Sequence, residues 1–240
     1  MVKKINTIFF IILLLFLQIY SFYKIVIWNI ENKKSKTIIE EIKKDEKLYN
    51  NKSANEIDIN IKKLKKLNTD TVAWLKINNT NIDYPVLKSK NNQYYLNHDF
   101  DKKENNSGWI FADYRNKFNG EDRNIIIYGH NRRDKSMFGT LKNTLSDSWY
   151  DEKENLYITL IEKDNADKYL VFSVYYEKAN EYGIQTSFKN DMKYYEFLKN
   201  IKYKSIKNFN IELKKSDKIL ILCTCGNNNK YRIMIHAVKI

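Results

Sequence analysis

The chain has 240 residues, enough for one sizeable globular domain and an appendage, and its 43% hydrophobic and 14% aromatic content excludes a globally disordered protein. One proline and six glycines exclude collagen-like and proline-rich architectures. With 42 Lys and Arg against 29 Asp and Glu the formal charge is +13, which suits anionic lipid or an acidic cell wall; the basic residues are scattered and form no recognisable motif, so nucleic acid is set aside as a partner.

After Lys3 and Lys4 the sequence is apolar from Ile8 through Leu17 and nearly so to Trp28. A membrane-spanning helix needs about 20 mostly apolar residues, and residues 1–31 are read as such an anchor. A cleaved signal peptide is the alternative. Against it, the flank "QIYSFYKIVIWNIENKK" is bulky where a small-residue cleavage site would fall. The paired lysines favour a cytoplasmic N-terminus, although "NKKSK" beyond the apolar run opposes them. The expectation is a single-pass cell-membrane protein with the remainder on the extracellular face.

From Asn32 to about residue 66 the chain is rich in Lys, Glu and Asn. Ile38–Ile42 and Ile57–Ile61–Leu64 carry helical spacing, which predicts a charged stalk followed by a helix leaning one face on the domain. A solvated tether over Asn32–Asn55 is the alternative.

Beyond Thr69 the pattern changes to short strands separated by turns. "TVAWLKI" and "IDYPVL" flank "NNTN", a hairpin signal. Further strands are predicted at "GWIFAD", "NIIIYGH", "NLYITLI", "KYLVFSVYY", "KILILCT" and "YRIMIHAV". Eight short strands with few long helical stretches predict a mainly β fold, a closed or nearly closed barrel. Two helical segments interrupt it. "SMFGTLKNTL" spaces Met137, Leu141 and Leu145 with Ser136 as a candidate N-cap, and "NDMKYYEFLKNIKY" sets Tyr194, Phe197, Leu198 and Ile201 on one face behind Asn190.

Both cysteines lie in "ILCTCGNNNK", two residues apart on an expected strand, so they face the same way. Their Cα atoms would stand about 6.5 Å apart with parallel Cβ vectors, poor geometry for a disulfide. His236 is the only nearby histidine, which leaves zinc poorly supported. Two free thiols outside a cell suggest a reactive one. Antiparallel return across "GNNNK" puts Cys225 near Arg232, where a guanidinium favours the thiolate and can donate to a developing oxyanion. Gly226 would let a substrate backbone come close. Of three histidines, His130 ends a buried-looking strand and enters the polar loop "NRRDKS", a usual address for catalytic groups. His236 reads as a packed structural residue. His98 reads as structural too, or as supporting the site by hydrogen bonding.

These residues carry a resemblance. "TVAWLKINNTNIDYPVL", "GWIFADYRN", "NIIIYGHNRRDKSMFG" and "LCTCG…YRIMIHAVKI" together resemble the class B sortases, membrane-anchored cysteine transpeptidases of Gram-positive bacteria. The likeness starts near Leu67, implying a catalytic domain at 67–240 behind an anchor at 1–31 and a stalk with a helix at 32–66. It implies an eight-stranded barrel, with the helix around Asn190–Tyr203 as the insertion before the cysteine strand. Residue by residue it implies His130 as the catalytic histidine, Cys225 as nucleophile and Arg232 as the arginine. Two departures lie inside the cysteine motif: Ile221 stands where the family has a threonine, and Cys223 at a position often serine. The implied reaction attacks the threonine carbonyl of an NPxTx-like C-terminal sorting signal on a surface protein. It ends by joining that protein to an amino group of peptidoglycan or its precursor, with no metal or organic cofactor. Two other readings stay open: a non-catalytic wall- or polyanion-binding module, and a plain cysteine protease.

Overall fold

The computed structural model describes residues 2–45, 47–53, 56–163, 165–179, 184–225 and 230–240. Its first element, α1 (Val2–Lys44), is one unbroken helix of 43 residues. It contains neither glycine nor proline, so nothing in it interrupts the hydrogen-bond ladder. Its first part exposes a continuous apolar surface, from Ile8 to Ile30, whereas Ile38, Ile39 and Ile42 are buried against the domain. The stretch expected as a stalk is therefore, as far as Lys44, the packed end of this helix.

A small hairpin comes next, β1 (Tyr49–Ser53) and β2 (Glu56–Ile59), then α2 (Ile61–Leu67). Ile57 belongs to β2 and not to the helix its spacing suggested. The helix starts later because the Asn60 carboxamide accepts from the Lys63 N–H at 2.9 Å and caps it there.

The remaining strands are β3 (Thr71–Ile77), β4 (Asp83–Leu87), β5 (Phe111–Ala112), β6 (Asn124–His130), β7 (Tyr157–Glu162), β8 (Asn165–Lys178), β9 (Ile219–Cys225) and β10 (Tyr231–Lys239). They close into an eight-stranded barrel in the order β10-β8-β7-β3-β4-β5-β6-β9. Every strand read from the sequence is present, although β5 is reduced to two residues. Most pairings are antiparallel; β4 with β5 and β6 with β9 are parallel. "NIIIYGH" and "ILILCTC" are buried along nearly their whole length, which is why both read as continuous apolar runs without alternation.

Two helices decorate the barrel, α3 (Asp147–Asp151) and α4 (Asp191–Tyr203). Asn190 caps α4 as its sequence indicated, its side chain accepting from the Lys193 N–H at 2.9 Å. Tyr194, Leu198 and Ile201 are buried on one face, with Phe197 partly buried beside them. Ser136 caps no helix. Lys135 and Met137 both take positive φ, incompatible with a helix there, and a short 3-10 turn begins only at Leu141. Ser136 instead donates from its backbone and hydroxyl to Asp134 Oδ1 at 3.2 and 2.7 Å, tying up the loop after His130.

Candidate active site

The parallel pairing of β6 with β9 brings the expected residues together. Its last register pair is His130 with Cys225, preceded by Gly129 with Thr224 and Tyr128 with Cys223. Adjacent strands lie about 4.8 Å apart and paired residues face the same way, so His130 and Cys225 project side by side where both strands end. The Asn131 N–H continues the ladder one step, donating to the Cys225 carbonyl at 3.2 Å.

Arg232 reaches the same place from β10. Pairing of β9 with β10 stops at Cys223 with Met234. Beyond it Thr224 takes over: its hydroxyl accepts from the Ile233 N–H at 2.9 Å and its carbonyl accepts from Arg232 Nη1 at 3.0 Å. The hairpin thus opens one residue before Cys225, and the guanidinium is held next to the thiol by a backbone carbonyl. Gly226 lies outside the described residues.

The electrostatics correct one expectation. Arg232 was expected to favour the thiolate. Burial instead dominates and pushes the Cys225 thiol up to about 11, although Arg232 and a hydrogen bond from the Gly129 backbone pull the other way. Cys225 therefore rests as a thiol at neutral pH and must lose its proton during any reaction. Cys223 is fully buried, with Sγ 3.6 Å from the Thr224 carbonyl, and burial raises its pKa well above the ordinary value. Both cysteines are free thiols.

His130 Nε2 lies 2.7 Å from the Leu96 carbonyl oxygen. A carbonyl only accepts, so this nitrogen carries a proton, which leaves Nδ1 as the nitrogen able to exchange one. The ring is also confined from behind. Gly108 has φ of +58°, and a Cβ there would fall 2.8 Å from His130 Cδ2 and 2.7 Å from the Tyr95 carbonyl. Gly129 leaves room for the Phe138 ring, and the Phe138 N–H donates to the His130 carbonyl at 3.0 Å. Leu96, Gly108 and Phe138 were not singled out in the sequence. Only the tertiary fold brings them to His130.

His98 and His236 sit elsewhere in the network. His98 stacks on Tyr94 with centroids 4.0 Å apart, its Nδ1 2.8 Å from the Tyr94 carbonyl. It supports the loop that contains Leu96 and makes no hydrogen bond to His130. His236 is buried, stacked on Tyr175 and 3.1 Å from its hydroxyl, and burial pushes its pKa down to about 3, with Lys204 adding to the shift. It is a structural residue.

A cavity of about 580 Å³ opens at this point, lined by Cys225, His130, Arg132 and Arg133 from the barrel and by Ile25 and Trp28 from α1. Among the described residues no cluster of three or more His, Cys, Asp or Glu side chains is arranged to hold a metal ion.

Comparison with known proteins agrees with this picture. Residues 75–240 match the Sortase domain family. The chain is 35% identical over 226 residues to Sortase B of Staphylococcus aureus, covering 93% of this chain and 90% of that protein. The solved structure of Clostridium perfringens sortase B superposes with a TM-score of 0.70 at 39% identity, over 75% of this chain and 98% of that one. A Staphylococcus aureus sortase B–substrate complex superposes with a TM-score of 0.71 at 35% identity, over 75% of this chain and 84% of that one.

Proposed function

The chain belongs to the sortase family, in its class B, and from that premise we propose that it is a membrane-anchored cysteine transpeptidase acting on C-terminal sorting signals of the NPxTx kind. Residues 1–31 anchor it, 32–66 connect, and 67–240 form the catalytic domain on the extracellular face. One observation carries the reading: Cys225, His130 and Arg232 converge where β6 and β9 end and β10 begins.

Cys225 Sγ attacks the threonine carbonyl, forming a carbon–sulfur bond as its proton passes to His130 Nδ1. Arg232 donates to the oxyanion of the tetrahedral intermediate. When the peptide carbon–nitrogen bond breaks, His130 returns the proton to the departing amine. The amine of a peptidoglycan precursor or cross-bridge then attacks the thioester, forming an amide and releasing the thiol. The protonated resting thiol fits this sequence, since the proton leaves for His130 as the carbon–sulfur bond forms. A relative solved with its substrate lends support to a sorting-signal partner.

Intact mass spectrometry of the full-length protein with a panel of sorting-signal peptides tests the proposal. A trapped acyl-enzyme on Cys225 that transfers to an added amine supports it. A covalent adduct that reacts only with water points to a protease, and no adduct with any peptide removes the enzyme reading.

A further inference from the structure

The wall of the catalytic cavity contributed by the anchor helix has no counterpart in the chemistry above. Ile25 and Trp28 lie three residues apart, hence on one face of α1, and both line the cavity that holds Cys225 and His130. Each keeps much of its surface exposed, Ile25 56% and Trp28 42%, so their apolar faces remain available to a ligand. A helix that served only to tether the barrel would have no reason to be held at this place.

It is held there by a row of polar contacts just beyond the wall. Glu31 accepts from Asn106 Nδ2 at 2.9 Å, Asn32 accepts from the Ser107 hydroxyl at 3.3 Å and from Arg132, and Ser35 accepts from Asn105 Nδ2 at 3.2 Å. Lys34 pairs with the buried Asp99 carboxylate. Their partners lie on the segments that flank His130: residues 99–107 run into Gly108 behind its ring, and Arg132 comes two residues after it. The contacts therefore register α1 against the reacting groups themselves.

We propose that the turn of α1 containing Ile25 and Trp28 is a specificity-determining wall of the catalytic site, which packs on an apolar side chain of the sorting peptide while Cys225 engages its threonine. This rests on the transpeptidase reading of the site. Arg133 and the polar Asn106 and Asn131 line the rest of the cavity, so it suits a peptide that is apolar toward the helix and offers carbonyls to the other lining groups.

The test uses the full-length protein in detergent micelles and two readouts. In the first, Trp28→Ala raises KM for the sorting peptide about five- to tenfold, the usual loss for a truncated aromatic anchor, and leaves kcat unchanged. Trp28→Phe recovers most of the affinity, and Ile30→Ala, at an exposed position on the far face of the helix, changes nothing. In a panel of peptides with single glycine replacements, the Trp28→Ala penalty vanishes for the one peptide lacking the contacting side chain. The second readout needs no catalysis: Trp28→Ala speeds alkylation of Cys225 by a bulky uncharged maleimide but not by a small one. Faster bulky alkylation with an unchanged KM overturns the specificity role, and no change in either readout overturns the wall itself. Persistence of transfer in Cys225→Ala would instead overturn the transpeptidase site, a result the alkylation readout does not share.

Discussion

Arg232 Nη1 donates to the Thr224 carbonyl at 3.0 Å, which fixes the guanidinium one residue from the Cys225 thiol while the β9–β10 hairpin splays open around it. This hydrogen bond is made in the resting protein, so the donor is already oriented when a substrate carbonyl arrives. Arg232→Ala should lower transfer by at least about a hundredfold with unchanged circular dichroism. Arg232→Lys should recover only part, because an ammonium keeps the charge without the planar fork. Near-normal turnover in the alanine variant would remove Arg232 from the mechanism.

The two thiols should separate cleanly. Cys225→Ala should abolish acyl-enzyme and transfer. Cys223→Ser should retain substantial activity, since Cys223 is buried beside the Thr224 carbonyl and a serine hydroxyl can donate to the same oxygen. Equal loss in both variants, measured by transfer of a labelled peptide, would mean the roles within "CTC" are misassigned.

Gly108 offers a test of how His130 is positioned. Alanine there is strained by the positive φ and meets both the Tyr95 carbonyl and the imidazole. Gly108→Ala should cost more than about 1 kcal/mol in chemical denaturation. Activity should fall further than stability explains, with kcat reduced in the fraction that stays folded. Full kcat in a folded variant would show that the ring tolerates displacement.

Thiol reactivity gives a pH signature. The folded Cys225 pKa lies near 11, above the ordinary value of 9.0, so the thiolate that alkylates appears only as pH climbs toward 11. The second-order rate with iodoacetamide, in the absence of substrate, should keep rising through pH 9 and 10, with its midpoint near 11. Arg232→Ala should move the curve higher, because the guanidinium pulls the pKa down. A plateau already reached by pH 8 would contradict the burial argument.

His236 should report on acid stability and not on catalysis. Its folded pKa is depressed to about 3, so the neutral form contributes stability that is full above the unfolded value near 6.5 and is lost as pH falls from there toward 3. Across that window the wild type should lose roughly 1.4 kcal/mol per pH unit from this group. His236→Gln should keep transfer activity and flatten the dependence by one proton. An unchanged acid slope would place the titrating group elsewhere.

The strands were legible because burial on both faces leaves uninterrupted apolar runs in β6 and β9, and because turn residues such as those after Ile77 bracket the others. Within the site, antiparallel return across the last hairpin was enough to put Arg232 near Cys225, whereas His130 was chosen by its place at a strand end and by the family resemblance. The β1–β2 hairpin was missed because "YNNKS" and "EIDI" carry no clear alternation and the apolar spacing of Ile57, Ile61 and Leu64 mimics a helix. The Cys225 pKa was misjudged because sequence shows the neighbouring arginine and hides the burial that outweighs it. Leu96 acts through its carbonyl and Gly108 through its missing side chain, and neither leaves a chemical mark in the sequence. Trp28 was hidden by its setting, a single aromatic at the end of a run that the membrane alone was enough to explain.

An unbroken α1 makes the distance from bilayer to thiol a ruled quantity. With the apolar half of the helix crossing the membrane as proposed, α1 has no break at which the barrel could swing away from it, and the active site stands at a height set by the length of the helix. Each residue of α-helix adds about 1.5 Å of length and about 100° of rotation. One residue inserted between Trp28 and Glu31 would therefore turn Ile25 and Trp28 away from the cavity with hardly any lift. Seven would restore the bearing nearly and raise the site by about 10 Å. Substrates tethered to the same bilayer would then be sorted by the length of chain between their own membrane segment and the scissile threonine, selecting by reach as well as by sequence.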